Sequence, residues 1–201
     1  MAMRRVREVR GRLMPWLVPV VLMILWQLFA SLGWISTRVA PAPSAVIEAG
    51  FRLARSGELF DDMGVSFTRA VTGFAIGGMI GFALGLLNGL SAAASRLLDS
   101  TLQMVRNVPH LALIPLVILW FGIGEEAKIF LVAFGAFFPI YLNTYHGVRT
   151  VDPDLIEMAR VYGLGRFELF RQLVFPGSLP TIRVGVRYAL GFTWLTLIVA
   201  E

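Results

Sequence analysis

Long apolar runs alternate with short polar breaks along most of this chain. The first extends from Met14 to Ile35, the second from Ala70 to Leu90, the third from Val108 to Ile123 and the fourth from Ile129 to Val148. A fifth has Arg183 and Arg187 flanking its start and ends at Ala200-Glu201. A helix needs about 20 predominantly apolar residues to cross a bilayer, so the pattern predicts an all-α, polytopic membrane helix bundle with five spans. Between the fourth and fifth runs lies the one polar, arginine-bearing island of any size, Asp152 to Pro180.

The island has its own local grammar. Asp152 is a good N-cap, Pro153 sits where a missing N–H costs nothing, and Asp154 adds negative charge at the positive end of the helix dipole. A helix over 153–162 follows, with Leu155, Ile156, Ala159 and Tyr162 on one face, and Gly163 supplies the left-handed residue that ends it. A second short pattern from Arg166 to Val174 has Phe167, Phe170, Leu173 and Val174 as apolar positions, and Pro176 is expected to stop it. Two short helices bent at glycine, neither able to span, place the island on a membrane surface or against a partner.

The runs differ in character. In the second, Gly73, Gly77, Gly81, Gly85 and Gly89 recur at every fourth position with Gly78 beside them, a strip without side chains. In lipid, close backbone approach is what holds helices together, so tight packing inside the subunit is the plain reading and substrate passage the alternative. The third run carries Pro109 and Pro115, which remove helical hydrogen bonds and predict a kinked or broken span, a first candidate for lining a path. Asn143 and Thr144 in the fourth run are further path candidates, with interhelical hydrogen bonding as the commoner use. Ser91 to Asn107 is expected to be a short loop, and Ser44 to cap a short interfacial helix.

Composition narrows the function. At 57% hydrophobic and 15% charged residues the chain is too apolar for a soluble domain of its length. The net charge of +5 comes from arginines at the ends of apolar runs, which suits the positive-inside rule rather than nucleic-acid binding. Arg4, Arg5, Arg7, Arg10 and Arg12 precede the first run and place the N-terminus in the cytoplasm. Of the 18 lysines and arginines, only Arg38, Arg52, Arg55, Arg69 and Lys128 then fall outside, and the island falls inside with Arg183 and Arg187. A cleaved signal peptide is the rival reading of the N-terminus, but the run exceeds the usual 7–15 residues and Pro43 would follow the cut.

Chemistry is scarce. Lys128, the one lysine, precedes Ile129, so there is no Gly-Lys-Ser/Thr phosphate cradle, and any ATP must be bound by another subunit. There is no cysteine; His110 alone makes no metal site and is expected to be a satisfied helix-end histidine; no catalytic group is nominated. The second, third and fourth runs hold no Asp, Glu, Lys or Arg, which argues against an ion-coupled secondary carrier.

Glu157-Met158-Ala159, Gly163 and Leu173-Val174-Phe175-Pro176 resemble, in residue type and spacing, the EAA loop of ABC-importer permeases, with Met158, Leu173 and Phe175 departing from its consensus. APAPSAV near 40–46, IPLVILWFGIGEEAKIF at 114–130, GAFFPIYLNTYHGVRTVDP at 135–153 and the closing WLTLIVAE extend the likeness to nearly the whole chain, and to the branch importing aliphatic sulfonates, taurine or nitrate. The resemblance implies a plasma (inner) membrane permease without bound cofactor, with ATP and Mg on partner ATPase subunits. It also implies a periplasmic or lipid-anchored substrate-binding protein, a second permease copy, and surrounding lipid. Permeases for thiamine precursors share much of the pattern and remain an alternative. It further implies a sixth helix that is missing after Glu201.

Within that picture the loop couples ATP hydrolysis to the spans. Gly163 would allow the bend, Ala159 would be small enough for a partner to approach, Glu157 and Arg160 would pair with ATPase groups, Leu164 and Phe167 would give apolar contact, and Pro176 closes the motif. The expected organisation is a basic N-terminus at 1–13, a first span at 14–35, an external loop with its interfacial helix at 36–69, and a permease core at 70–201 holding the loop at 152–180.

Overall fold

The computed structural model describes residues 2–36 and 38–200, with side chains from Met14 onward; the arginines expected to fix the N-terminus, and Glu201, have side chains outside the described residues. Among the described residues the chain is helical throughout: α1 (Ala2–Ser31), α2 (Pro43–Ser56), α3 (Glu58–Leu90), α4 (Ala92–Arg106), a 3-10 turn His110–Leu113, α5 (Ile114–Phe121), α6 (Glu125–Arg149), α7 (Pro153–Val161), α8 (Arg166–Leu169), a π segment Phe170–Val174 and α9 (Phe175–Ala200). Met14–Ser31, Glu58–Leu90, Glu125–Arg149 and Arg166–Ala200 are each long and apolar enough to cross a membrane, and α4 with the 3-10 turn and α5 forms a further apolar pair bent by 79°. The chain divides into two compact units, Met1–Met63 and Gly64–Glu201.

In the first unit α2 starts differently from expectation. Ala42 is its N-cap and Pro43 its first residue, so Ser44 is inside the helix and caps nothing. Gln27 of α1 does the capping instead: its Oε1 accepts the Ser44 N–H at 3.1 Å and its Nε2 donates to Ser44 Oγ at 3.1 Å. One amide thus satisfies an orphan helix-start donor and fixes α2 on α1. Trp34 stacks on Phe29 with ring centroids 5.4 Å apart.

The second unit is built around α6. The glycine strip of α3 lies against it: a Cβ on Gly81 would come within 2.5 Å of the Phe137 carbonyl, and one on Gly85 within 2.7 Å of Thr144 Cβ. Packing within the subunit, the plainer of the two sequence readings, is therefore what the strip does. Polar ties close both ends of this contact. Arg69 makes a two-pronged ion pair with Glu125, and buried Asn88 donates to the Tyr141 hydroxyl at 2.9 Å. On its other side α6 meets α9 antiparallel, with Gly135 against Thr196, Gly185 against the Pro139 carbonyl and Asn143, and Gly147 against Ser178 and Thr181. Ala136, Ile140 and Ala189 form the buried centre of that seam.

Three expectations about boundaries are corrected. The second span starts at Glu58 rather than Ala70, because the residues before the apolar run continue the helix as amphipathic turns. Residues 91–107 are a helix rather than a loop: the Ser91 side chain accepts from Ala94 N–H at 3.2 Å and starts α4, which Asn107 ends. Pro176 does not stop its helix. The Phe175 N–H reaches back to the Phe170 carbonyl, a π-type bond, and this widened turn makes room for the ring that would otherwise strike the carbonyl four residues earlier. Helical structure consequently runs from Arg166 to Ala200, and Arg183 and Arg187 lie within it instead of marking its start.

Candidate functional site: the elbow and the α6–α9 cleft

The island folds into an elbow. Asp152 Oδ1 accepts the Asp154 N–H at 2.9 Å and opens α7. At the far end Gly163 adopts φ 82°, its N–H reaches the Arg160 carbonyl at 2.9 Å and the Leu164 N–H reaches Ala159 at 3.1 Å. That pair of bonds is a Schellman stop, which only a residue at ease with positive φ closes without strain. Glu168 then bends back to take the Gly165 N–H at 3.0 Å, starting α8.

The elbow's inner side is anchored in the subunit. Val148, Val151 and Val174 form a small buried cluster surrounded by Leu86, Ile156, Leu169, Phe170 and Leu173. α6, α7, α8 and the π segment are therefore one packed body at this end, and the second arm of the elbow is the beginning of the last long helix.

The predicted coupling residues divide by exposure. Glu157, Arg160, Gly163, Phe167 and Pro176 are exposed, and Leu164 is half-buried. Ala159 is buried at 8% exposure, so its small side chain serves the chain's own packing. Leu155 and Tyr162, which the sequence places on one face with Ile156 and Ala159, are exposed, and Val161 at 84%, Tyr162 at 77% and Phe167 at 72% make an uncovered apolar tip around the glycine turn.

Of the path candidates, Asn143 lines a cleft. A cleft of about 340 Å³ is lined by Arg106, His110, Phe138, Asn143, Tyr188 and Phe192, among others. The Asn143 amide donates to the Pro139 carbonyl at 2.8 Å. Thr144 is fully buried toward Gly85. Pro109 precedes the 3-10 turn as its N-cap and Pro115 opens α5; they break the third span as expected and thereby deliver His110, not themselves, to the cleft. His110 meets Phe192 edge to face at 5.6 Å, and its Nε2 is buried without a hydrogen-bond partner among the described residues, so it is not the satisfied histidine expected. Arg106, Tyr188 and Phe192 were not nominated from sequence. Tyr188 and Phe192 are spaced one helical turn apart on the last apolar run, which was the available signal for them.

Comparison with known proteins agrees with this architecture. The family described as binding-protein-dependent transport system inner membrane component matches residues 77–201. SsuC of Escherichia coli, a candidate aliphatic sulfonates transport permease, is 58% identical over 190 residues, covering 94% of this chain and 72% of that protein. SsuC of Bacillus subtilis is 44% identical over 185 residues, covering 92% and 67% respectively. The taurine transport system permease protein TauC of Escherichia coli is 34% identical over 186 residues, covering 90% and 68%. With the glycine-packed helices, the broken third span and the elbow in place, the chain belongs to the family of inner membrane components of binding-protein-dependent transport systems.

Proposed function

We propose that this permease subunit imports small anions of the aliphatic sulfonate or taurine type, with nitrate as the inorganic analogue, and that the elbow is where an ATPase partner drives it. The observation that carries the coupling role is the continuity of the second arm with the last long helix, Arg166–Ala200. A push on α8 is delivered to α9, which lies against α6 along its length, with no loop between to absorb it.

The exposed tip suits a protein partner. Val161, Tyr162 and Phe167 offer apolar area, and Glu157 and Arg160 offer one charge of each sign beside it. Gly163 sets the angle between the arms. Two copies related by a two-fold axis would enclose the path, each holding one ATPase subunit with its ATP and Mg, while a substrate-binding protein delivers the anion from the opposite side. The N-terminus and elbow lie in the cytoplasm in this arrangement, as the basic residues around them favour.

The substrate assignment rests on the sulfonate and taurine names of similar proteins and on the basic groups near the cleft. Its test is uptake of labelled ethanesulfonate, taurine and nitrate by the chain assembled with its ATPase and binding protein. Accumulation of none of the three overturns it. The coupling role is tested by capture of the ATPase with Gly163→Pro and Glu157→Lys variants: both are expected to capture less, and undiminished capture by both would count against the elbow as the docking element.

A further inference from the structure

The last helix carries two arginines at a depth where charge is expensive. Gly185 lies against the Pro139 carbonyl and Asn143, so Arg187, two positions on, is level with the middle of α6. At about 1.5 Å per residue this is roughly 15 Å or more from either end of that helix, near the centre of a hydrocarbon core about 30 Å thick. Arg183 sits one turn nearer the elbow. Both are exposed, and neither makes an ion pair among the described residues. A charged side chain at such depth faces a bundle interior or water, not lipid.

What surrounds Arg187 is a groove. A cavity of about 660 Å³ is lined by Val184, Arg187, Tyr188, Gly191, Phe192 and Leu195. Tyr188 and Phe192 also line the neighbouring cleft that holds Arg106, His110 and Asn143. The two spaces therefore share an aromatic wall of Tyr188 and Phe192, with Arg187 on one side and Arg106 on the other. His110 Nε2, buried without a partner, adds an unused polar atom beside that wall.

We propose that Arg187, with Arg106 beyond the shared wall, is the anion-selecting station of the translocation path, and that it takes the oxyanion head of a short-chain organic sulfonate. Arg187 supplies charge and a fork of N–H donors matched to sulfonate oxygens, Tyr188 supplies a hydroxyl, and Phe192 with Leu195 gives the alkyl part an apolar surface. This deepens the substrate assignment above and rests on it: the permease itself, besides the binding protein, discriminates by charge.

These 201 residues hold no cysteine, so an introduced thiol is their single reactive one, and the transporter without it serves as the background control. A side chain at Gly191 meets nothing within 4 Å, so Gly191→Cys places a thiol in the groove with Arg187 intact. In the assembled transporter in liposomes, this thiol is expected to react about tenfold faster with a sulfonatoethyl thiosulfonate than with its trimethylammonioethyl counterpart, excess ethanesulfonate is expected to slow it, and Arg187→Gln is expected to abolish the preference. No reaction, as for a position sealed by lipid or by the second copy, or equal rates for the two reagents, overturns the proposal. Arg187→Gln is also expected to cut ethanesulfonate uptake at least about tenfold, and Arg187→Lys to restore much of it. Wild-type uptake by Arg187→Gln overturns the proposal, and should that variant fail to assemble, the reagent preference at Gly191→Cys alone decides. A wild-type transporter that takes up no sulfonate yet shows the reagent preference would sink the substrate assignment and leave the anion station standing.

Discussion

The carbonyl of Ala133 in α6 fills the space where a side chain on Gly77 of α3 would stand. Even a methyl group there would overlap backbone, which cannot swing aside as the end of a flexible side chain can. Gly77→Ala is therefore expected to separate α3 from α6 locally and cost about 1–3 kcal/mol, the range for overpacking a close-packed site. Gly64→Ala is the control, because nothing lies within 4 Å of its added methyl, and removing a helical glycine should be neutral or stabilising by up to about 1 kcal/mol. Thermal unfolding of the two variants in detergent checks this, with a lower midpoint expected for the first alone.

The elbow's two glycines should respond differently to the same change. Gly163 has φ 82° with open space around it, so Gly163→Ala meets no clash and bears only the backbone penalty of about 1–2 kcal/mol. Gly165 has φ −67°, and a methyl there would touch only the Glu168 carboxylate at 3.7 Å. Transport-coupled ATP hydrolysis is expected to fall in Gly163→Ala and to persist in Gly165→Ala. Equal behaviour of the pair would show that the left-handed turn does not set the angle between the arms.

The π segment carries the helix past Pro176 between elbow and span. Deleting exposed Gln172 from Phe170–Val174 removes the extra residue of the wide turn, so the turn tightens to α geometry and the Pro176 ring then strikes the carbonyl four residues earlier unless the helix bends or unwinds there. α6 and α9 keep their glycine-lined seam in either case. The deletion is expected to leave the subunit assembled in the membrane while abolishing ATPase capture and uptake. Retention of both activities would remove the π segment from the coupling route.

Much of this architecture was legible because it depends on local rules. The Asp152 cap, the Gly163 stop and the four-residue glycine period each name their own structure, and all three stand where the sequence places them. The errors came where a local rule was overridden. Pro176 has the mark of a helix breaker, yet a π turn absorbs its ring; Arg183 and Arg187 look like the flank of a span, yet helix continues on both sides of them. Ser44 resembles a cap, but the cap comes from Gln27 on another helix, which no local window contains. Ser91 is a local cap, but the polar residues after it have the look of a break between apolar runs. The cleft could not be read at all, since Arg106, Asn143 and Tyr188 meet only after α6 and α9 pair.

Asn88 and Tyr141 provide the sharpest energetic test of how the helices are tied. Asn88 is fully buried, its amide donates to the Tyr141 hydroxyl, and its Oδ1 has no partner among the described residues. Tyr141→Phe alone removes the acceptor and strands the amide, whereas Tyr141→Phe with Asn88→Leu removes donor and acceptor together. Replacing both partners of a buried hydrogen bond can be nearly neutral, while orphaning one costs its desolvation, on the order of 1–3 kcal/mol. In lipid the measured worth of such bonds averages nearer 0.6 kcal/mol, because separated helices also find partners for their polar groups. The single variant is therefore expected to lose about 1 kcal/mol and the double variant less than the single. A double variant worse than either single would mean that the pair is held for shape, and unfolding midpoints of the three proteins in detergent distinguish the two outcomes.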